Sequence, residues 1–259
     1  MNKPNNYLSF EEIEAGLRKL KLSGMADTLR DVTDNPKFQG LNFEERLGML
    51  VYHELEIRRE KRTERCLQRS GLKTLEPFSQ AQLSKLIKSR ERNLDVELLE
   101  RLMTCRWIED GGKNLLINGP TGTGKTWVLS LLGQAACNRG IRVLYLRFNR
   151  LEELIEDAYR HSESAKFRHQ LNAYQLLIID DLGTYQMRPE TGSALLAILD
   201  ERIGNSSVAI ASQLPFEEWH NFLGNNLNAD AIVDRLFNSG YKMSLKGRSL
   251  RERKKSAQE

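Results

Sequence analysis

Eight residues near the middle of the chain have the composition and spacing of a phosphate-binding loop. The run GPTGTGKT, Gly119 to Thr126, follows the β-rich run KNLLIN and leads into the helical run WVLSLLGQAACNRG. Its glycines tolerate backbone conformations that turn successive N–H groups inward around phosphate oxygens. Lys125 adds an ammonium group for the outer phosphates, and Thr126 adds a hydroxyl group for Mg²⁺. The pattern predicts a site for ATP and Mg²⁺; the alternative is a chance glycine-rich turn.

The predicted nucleotide contacts are Gly119, Pro120, Thr121, Gly122, Thr123, Gly124, Lys125, Thr126 and Trp127. Lys125 is also a predicted catalytic residue, because its charge lies where the outer phosphates bind.

Two adjacent carboxylates follow an apolar run further along the chain. In YQLLIIDDLG, Leu176 to Ile179 predict a buried strand, and Asp180 and Asp181 come directly after it. In P-loop enzymes an acid at the carboxyl end of such a strand holds Mg²⁺ opposite the loop threonine, so Asp180 and Thr126 are the predicted metal ligands. Asp181 is predicted to orient the attacking water or to accept its proton, and the alternative is a turn or cap residue.

A third polar position follows another apolar run, SVAIASQLP. We expect this strand to lie between the phosphate-loop strand and the acid strand and to end near the terminal phosphate. Ser212 and Gln213 are therefore further catalytic candidates. The alternative is that both residues begin a loop before Pro215.

The elements that must position these groups form a repeating pattern in the second part of the chain. Short β-rich runs alternate with helical ones, which predicts an α/β fold with one five-stranded parallel sheet. The expected strands are Asn114 to Asn118, Val143 to Leu146, Leu176 to Asp180, Val208 to Ser212 and Lys242 to Leu245. The predicted domains are a helical N-terminal DNA-binding domain at 1–75, a helical linker at 76–108, an ATPase domain at 109–247 and a basic tail at 248–259.

The first part of the chain has a helical pattern throughout. Ser9 with Glu12, and Asn42 with Glu45, have the spacing of helix-capping pairs, and Gly71 is a predicted helix stop. The second of these helices carries the basic residues Arg58, Arg59, Lys61, Arg62, Arg65 and Arg69. Their helical spacing indicates either a solvated face that pairs with nearby glutamates or a ridge that binds DNA phosphates.

Composition narrows the class of protein. The chain has 259 residues, of which 40% are hydrophobic and 29% charged, which is typical of a soluble globular protein. The start, MNKPNNYLSFEE, lacks the features of a secretory signal, and no apolar run approaches the roughly 18 residues of a membrane span, so we expect a cytosolic protein. Cys66, Cys105 and Cys137 lack C-x-x-C spacing, which favours ordinary thiols over a zinc site or a disulfide framework.

Several longer runs together resemble one family. TCRWIEDGGKNLLINGPTGTGKT, LLIIDDLG, ASQLPFEEWHNFLG and ADAIVDRLFNSGYKMSLKGRSLR resemble the IstB-like ATPases, which are helper proteins of a class of insertion-sequence transposons. These belong to the AAA+ superfamily and are similar to the DnaC-type helicase loaders. The resemblance covers nearly the whole chain. It implies an ATPase that assembles as a homo-oligomer on double-stranded DNA in the bacterial cytosol, with little sequence preference, and stimulates a partner transposase.

The resemblance also implies roles for arginines. The family's ATP sites lie between subunits, and Arg235 in AIVDRLF matches the arginine finger that a neighbour supplies. Without the resemblance, an arginine at a helix end is more often part of a surface ion pair. Arg251 is a candidate second phosphate-sensing arginine, with Arg248 as the competing choice.

Two departures from the wider family pattern affect the expected site. Asp181 stands where AAA+ ATPases usually have Glu, and only 14 residues follow Leu245, too few for the helical lid domain of many AAA+ proteins. We therefore expect a fold without a C-terminal helical lid. With the family in view, DNA contact is favoured for the basic helix, and the basic tail is either a DNA contact or a disordered end.

Two other functions compete with a transposition helper. A DnaC-like replicative helicase loader shares the ATPase core and differs mainly in its partner. A P-loop kinase for a small molecule predicts a substrate pocket with its own base and lid, and no segment of the sequence suggests one.

Overall fold

The computed structural model describes residues 7–38, 40–72, 93–184, 187–224, 226–238 and 240–247. The chain divides into two compact units, Met1–Thr63 and Glu64–Glu259, and the division falls within helix α3 (Phe43–Ser70). The predicted linker, 76–108, lies partly outside the described residues, and the domain boundaries stay a prediction. No helix in the described part of the chain is long and apolar enough to cross a membrane.

The first unit contains α1 (Phe10–Lys19), α2 (Ser23–Asp34), a 3₁₀ turn (Pro36–Phe38) and the beginning of α3. Both predicted capping pairs are confirmed, because Ser9 and Glu12, and likewise Asn42 and Glu45, exchange side-chain-to-backbone hydrogen bonds. The predicted stop at Gly71 is also confirmed: α3 ends at Ser70, and Gly71 has a φ of +70°.

Helix α2 packs closely on α3 at Gly24. A Cβ atom on Gly24 would lie 2.8 Å from the Cα atom of Glu54. The Glu54 carboxylate is buried, with the residue 5% exposed, and accepts the N–H groups of Gly24 and Met25 at 2.7 and 3.3 Å. Its other oxygen pairs with Arg58 at 2.5 Å, and this hydrogen bond is the main reason that the pKa of Glu54 is lowered. The contact requires both a residue without a side chain and an ionised acid.

The second unit alternates helices and strands. Before the sheet it has α4 (Val96–Met103) and α5 (Arg106–Glu109). The elements that follow are β1 (Asn114–Asn118), α6 (Lys125–Asn138), β2 (Val143–Arg147), α7 (Phe148–Arg160), α8 (Ser164–Asn172), β3 (Leu176–Leu182), α9 (Pro189–Arg202), β4 (Ser207–Ser212), a 3₁₀ turn (Phe216–Glu218), α10 (Trp219–Phe222), α11 (Leu227–Phe237) and β5 (Gly240–Ser244).

The five strands form one parallel sheet in the order β2-β3-β4-β1-β5. This confirms the predicted parallel sheet and the position of β4 between the phosphate-loop strand and the acid strand. Five strand ends differ from expectation: the end of β2, the start of β4 and the end of β5 by one residue, and the end of β3 and the start of β5 by two. Strand β3 continues to Leu182 because its pairing with β4 resumes after an irregularity, and β5 begins at Gly240, which pairs with Asn114.

The core lies on both faces of the sheet. Alternate residues of the central strands enter two buried clusters: Leu115, Ile117 and Ile178 belong to the cluster under α6, whereas Leu116 and Ile179 belong to the cluster under α7, α9 and α11. A strand covered on both faces has no polar side, which explains the uninterrupted apolar run before Asp180.

Candidate active site

The predicted site residues follow the carboxyl ends of β1, β3 and β4, which meet at one edge of the sheet. Asn118, the last residue of β1, pairs with Ser212 of β4, and Ser212 pairs in turn with Leu182 of β3. Because parallel strands end at the same edge, the phosphate loop, the two acids and the polar pair of β4 are brought together there.

The phosphate loop runs from β1 into the first turn of α6. Gly119 has a φ of +147°, and a Cβ atom there would lie 2.2 Å from the carbonyl oxygen of Leu245, so only glycine fits. Gly124 is the N-cap of α6 in a left-handed conformation, and no side chain caps this helix. The N-cap residue itself thus supplies no side-chain oxygen to the start of α6, and a helix start of this kind is an arrangement that binds an anion such as a phosphate.

The side chains of the loop are held by its own backbone. Lys125 is 6% exposed, and its Nζ atom donates to the carbonyl oxygens of Gly119 and Pro120 at 2.6 and 2.9 Å. The buried Thr123 hydroxyl donates to the Pro120 carbonyl as well, at 2.8 Å. Thr126 is exposed on the first turn of α6, and Trp127 packs partly against the core. The ammonium group is thus fixed at the loop backbone.

Asp180 is buried at the end of the apolar part of β3 and is 1% exposed. Its Oδ2 atom accepts a hydrogen bond from the Tyr145 hydroxyl at 2.8 Å, and its Oδ1 atom accepts the backbone N–H of Asp181 at 2.9 Å. Burial first, and then the negative charge of Asp180, raise the pKa of Tyr145, so this hydroxyl stays a donor. Tyr145 was not among the predicted site residues; its hydroxyl group, between Leu144 and Leu146 of β2, is the signal that marks it.

Asp181 lies in a β-bulge. Ile179 pairs with Ile210 and Leu182 with Ser212, so Asp180 and Asp181 both lie opposite Ala211. Asp181 has a φ of +61°, which is uncommon for a residue other than glycine and more accessible to Asp and Asn than to most. In a regular strand, the side chains of two adjacent residues point to opposite faces of the sheet. The bulge interrupts this alternation at Asp180 and Asp181.

Arg147, the last residue of β2, provides a positive charge next to the acid pair. Its Nε atom lies 3.9 Å from the Asp181 carboxylate, and the Asp181 side chain is 39% exposed. Two adjacent carboxylates repel each other, and the guanidinium group reduces that repulsion. The pair therefore consists of one buried carboxylate bound to a hydroxyl and one accessible carboxylate beside a cation.

Ser212 and Gln213 have different surroundings. The buried Ser212 hydroxyl donates to the carbonyl of Leu182 at 2.7 Å and accepts the N–H of Leu214 at 3.0 Å, which ties β4 to β3. Gln213 contacts the phosphate loop, since its Oε1 atom accepts the Thr121 hydroxyl at 2.6 Å. Of the two candidates, Gln213 has its polar group at the loop.

The predicted arginine finger takes part in an ion pair within the chain. Arg235, in the last turn of α11, pairs with Asp200 of α9 and donates to the Ala231 carbonyl. Arg248 and Arg251 lie outside the described residues.

The six basic residues predicted to bind DNA are all exposed on α3. Arg58 also has a structural role in the first unit, since it pairs with Glu54 and donates to the Lys21 carbonyl at 3.0 Å. Arg59 lies 3.6 Å from Glu56. The other four residues predicted to bind DNA are Lys61, Arg62, Arg65 and Arg69.

The oxygen atoms at the site are suitable ligands for a hard cation bound together with a nucleotide. Thr126 and Asp180 offer oxygen atoms, the ligand type that Mg²⁺ prefers, and Mg²⁺ is usually bound by one or two protein groups together with substrate phosphates. The described residues contain no cluster of three or more His, Cys, Asp or Glu side chains that could enclose a metal by themselves.

The model of the family described as IstB-like ATP binding protein matches residues 15–258. The chain belongs to this family. Family membership confirms the resemblance seen in the motifs.

Relatives of this IstB-like chain agree with that assignment. It is 36% identical over 242 residues to the protein y4pL of Sinorhizobium fredii, covering 93% of this chain and 96% of that protein. It is 38% identical over 199 residues to a protein of insertion sequence IS1162 in Pseudomonas fluorescens, covering 77% of this chain and 84% of that protein. The names of both describe an ATP-binding protein of an insertion sequence.

The fold is also found in a solved structure. The crystal structure of DnaI superimposes with a TM-score of 0.52 at 17% identity, over 71% of this chain and 94% of that one. At this identity the similarity concerns the fold alone, and it agrees with the predicted α/β fold with a parallel sheet.

Proposed function

We propose that this chain is an ATP-dependent transposition helper that binds double-stranded DNA, assembles on it and stimulates a partner transposase. The observation that carries the proposal is the meeting of an uncapped helix start, Lys125 and two unlike aspartates at one sheet edge, in a chain of the IstB-like family. The insertion-sequence relatives support the choice of a transposase as the partner.

Each side chain has a defined part in the proposed hydrolysis of ATP. The loop amides and the Lys125 ammonium bind the phosphates, and Thr126 and Asp180 hold Mg²⁺, which neutralises the phosphate charge when bound. Asp181, which is accessible, orients a water molecule and accepts its proton. Gln213, which follows β4 and is hydrogen-bonded to Thr121 of the loop, is the residue that responds to the terminal phosphate.

Assembly of subunits is the second part of the proposal. The exposed basic residues of α3 contact DNA phosphates, which gives little sequence preference. Arg235 completes the ATP site of a neighbouring subunit after it leaves Asp200, and Arg251 is a candidate second arginine. We place the protein in the bacterial cytosol, with the helical DNA-binding part at 1–75, the ATPase part at 109–247 and a basic tail beyond it.

The experiment compares wild type, Lys125→Ala and Asp181→Asn in three assays: nucleotide binding, ATP hydrolysis and transposition by the partner transposase in vitro. Lys125→Ala is expected to lose nucleotide binding, because the loop loses its ammonium group. Asp181→Asn is expected to bind nucleotide normally and to hydrolyse ATP at least about 100-fold more slowly, because Asn keeps the shape but cannot accept a proton. Asn also tolerates the left-handed backbone, so folding is preserved.

Hydrolysis at the wild-type rate in both variants would refute the assignment of the site. A wild-type protein that hydrolyses ATP but leaves transposition unchanged would refute the helper role. The alternative function is that of a DnaC-like replicative helicase loader, and a pull-down against transposase and replicative helicase separates these two functions. Binding to the helicase alone would favour the loader.

A further inference from the structure

Two of the three cysteines meet where the end of α3 packs on α6, the helix that follows the phosphate loop. The Sγ atoms of Cys66 and Cys137 are 2.9 Å apart, although 71 positions separate the residues in the sequence. Cys66 lies in the part of α3 that belongs to the second unit, and Cys137 lies in the last turn of α6. A disulfide bond is about 2.05 Å long, so the sulfur atoms need to approach by only roughly 0.9 Å.

The packing around the two thiols keeps them together. Leu72, just beyond α3, packs so closely on α6 that a Cβ atom on Gly133 would lie 2.8 Å from its Cδ1 atom. Cys66, Leu67 and Leu72 all pack against the core cluster that includes Cys137. The short distance between the two Sγ atoms therefore results from the packing of α3 on α6.

The two thiols differ in their access to solvent. Cys66 is half-buried, whereas Cys137 is buried, and its contact with the Cys66 thiol together with burial raises its pKa. Cys105 is buried as well, and burial raises its pKa to about 11. A small oxidant in solution therefore reaches Cys66 first, and Cys137 is the neighbour able to react next.

We propose that Cys66 and Cys137 form a thiol pair that a hydroperoxide oxidises to a reversible disulfide between α3 and the phosphate-loop helix. The Cys66 thiolate attacks one oxygen of hydrogen peroxide and the O–O bond breaks, which leaves a sulfenic acid and a hydroxide ion. The hydroxide takes up the proton that was released when the Cys66 thiol ionised and becomes one water. The Cys137 sulfur then attacks the Cys66 sulfur, the S–O bond breaks, and the leaving hydroxide takes the Cys137 proton to give a second water. The two thiols together lose two electrons to the peroxide, and a dithiol reductant reduces the disulfide back to two thiols.

Peptide mapping of the full chain tests this pair directly. The reduced protein is treated with hydrogen peroxide, its remaining thiols are alkylated, and it is digested with trypsin without reduction. The three cysteines fall into three different tryptic peptides: Cys66–Arg69, Leu102–Arg106 and Thr126–Arg139. We expect the first and third peptides to be joined, with a mass two hydrogens below their sum, and the second to be alkylated. Dithiothreitol should restore all three as separate peptides.

Variants at each cysteine provide matched controls. Cys105→Ser should keep the crosslink, and Cys66→Ser and Cys137→Ser should each abolish it. Thermal unfolding gives a second readout, since peroxide should raise the Tm of wild type and of Cys105→Ser and leave that of Cys66→Ser unchanged. The proposal is overturned if Cys66 and Cys137 are both alkylated after oxidation, or if the main crosslink includes Cys105. Because none of these readouts involves ATP or DNA, the result is independent of the proposed function.

Discussion

At the scale of single residues, Asp180 and Asp181 are neighbours in β3 with opposite environments. Asp180 is buried beneath the Tyr145 hydroxyl, whereas Asp181 lies in a bulge beside Arg147 and is accessible. In a P-loop enzyme a metal ligand needs a fixed carboxylate, and a water-orienting acid needs access to solvent. The bulge gives the two carboxylates these different environments within two positions, in line with the roles proposed for Asp180 and Asp181.

Replacement of Tyr145 by Phe tests whether the hydroxyl holds Asp180 for its role. The change removes one hydrogen bond to a buried carboxylate, an interaction that contributes about 1.5–3 kcal/mol. We expect the turnover number for ATP hydrolysis to fall about ten-fold, equivalent to about 1.4 kcal/mol, and the Mg²⁺ concentration needed for nucleotide binding to rise. Steady-state kinetics and a nucleotide titration at several Mg²⁺ concentrations measure both effects.

Tyr159→Phe is the matched control, because Tyr159 lies on α7 with 70% of its surface exposed. This variant should behave as wild type in both assays. If Tyr145→Phe also leaves turnover and Mg²⁺ dependence unchanged, the hydroxyl only fills space in the core.

At the scale of elements, the close contact between α2 and α3 depends on a residue without a side chain. We expect Gly24→Ala to lower the free energy of unfolding of the first unit by about 1–3 kcal/mol, because its Cβ atom would lie 2.8 Å from the Glu54 backbone. Chemical denaturation followed by circular dichroism measures the loss. Gly16→Ala on α1 is the control: no atom lies within 4 Å of the added Cβ, so this variant should be about 0.5–1 kcal/mol more stable.

The same contact should make the first unit sensitive to acid. The pKa of Glu54 is lowered from its ordinary value of 4.5, mainly by Arg58, so its ionisation stabilises the folded state above that value. The contribution is lost as the pH falls from about 4.5 through the lower folded pKa. Denaturation between pH 3 and 7 should show this loss in wild type and a flatter profile in Glu54→Gln. Glu60→Gln, an exposed change on the same helix, should keep the wild-type profile.

At the scale of the whole molecule, the sequence predicted the sheet and its functional edge because both depend on local patterns. The apolar run of β3, the loop glycines and the alternation of strands and helices are visible in the residues themselves. The contacts of Tyr145 with Asp180, of Arg147 with Asp181 and of Cys66 with Cys137 could not be predicted, since they depend on which strand or helix lies beside which. The choice between Ser212 and Gln213 likewise needed the register of β4 against β3.

Charge reversal on α3 tests whether this helix binds DNA. Arg58 is a poor position for charge reversal, because it stabilises the buried Glu54. We expect Arg62→Glu with Arg69→Glu to weaken binding to duplex DNA of any sequence by at least about ten-fold and to reduce the salt slope by about one for each lost phosphate contact. Fluorescence anisotropy at several salt concentrations measures both.

The control is the double variant Lys166→Glu with Arg150→Glu, on helices of the second unit. It changes the net charge of the protein by the same amount. Wild-type affinity and salt slope in the α3 variant would place the DNA contacts elsewhere on the molecule.

The close packing of Gly119 against Leu245 has a consequence for how the protein is made. The N–H of Leu245 donates to Asn118 at 2.8 Å, so the residue after β5 supports the beginning of the phosphate loop. A ribosome completes the loop early and this support much later, because chains are synthesised from the N-terminus at about 5–20 residues per second. A nascent chain without β5 and Leu245 lacks the hydrogen bond and the packing that support its phosphate loop. Competence to bind nucleotide is therefore gained late in synthesis, and premature termination before β5 should yield a chain that cannot bind it.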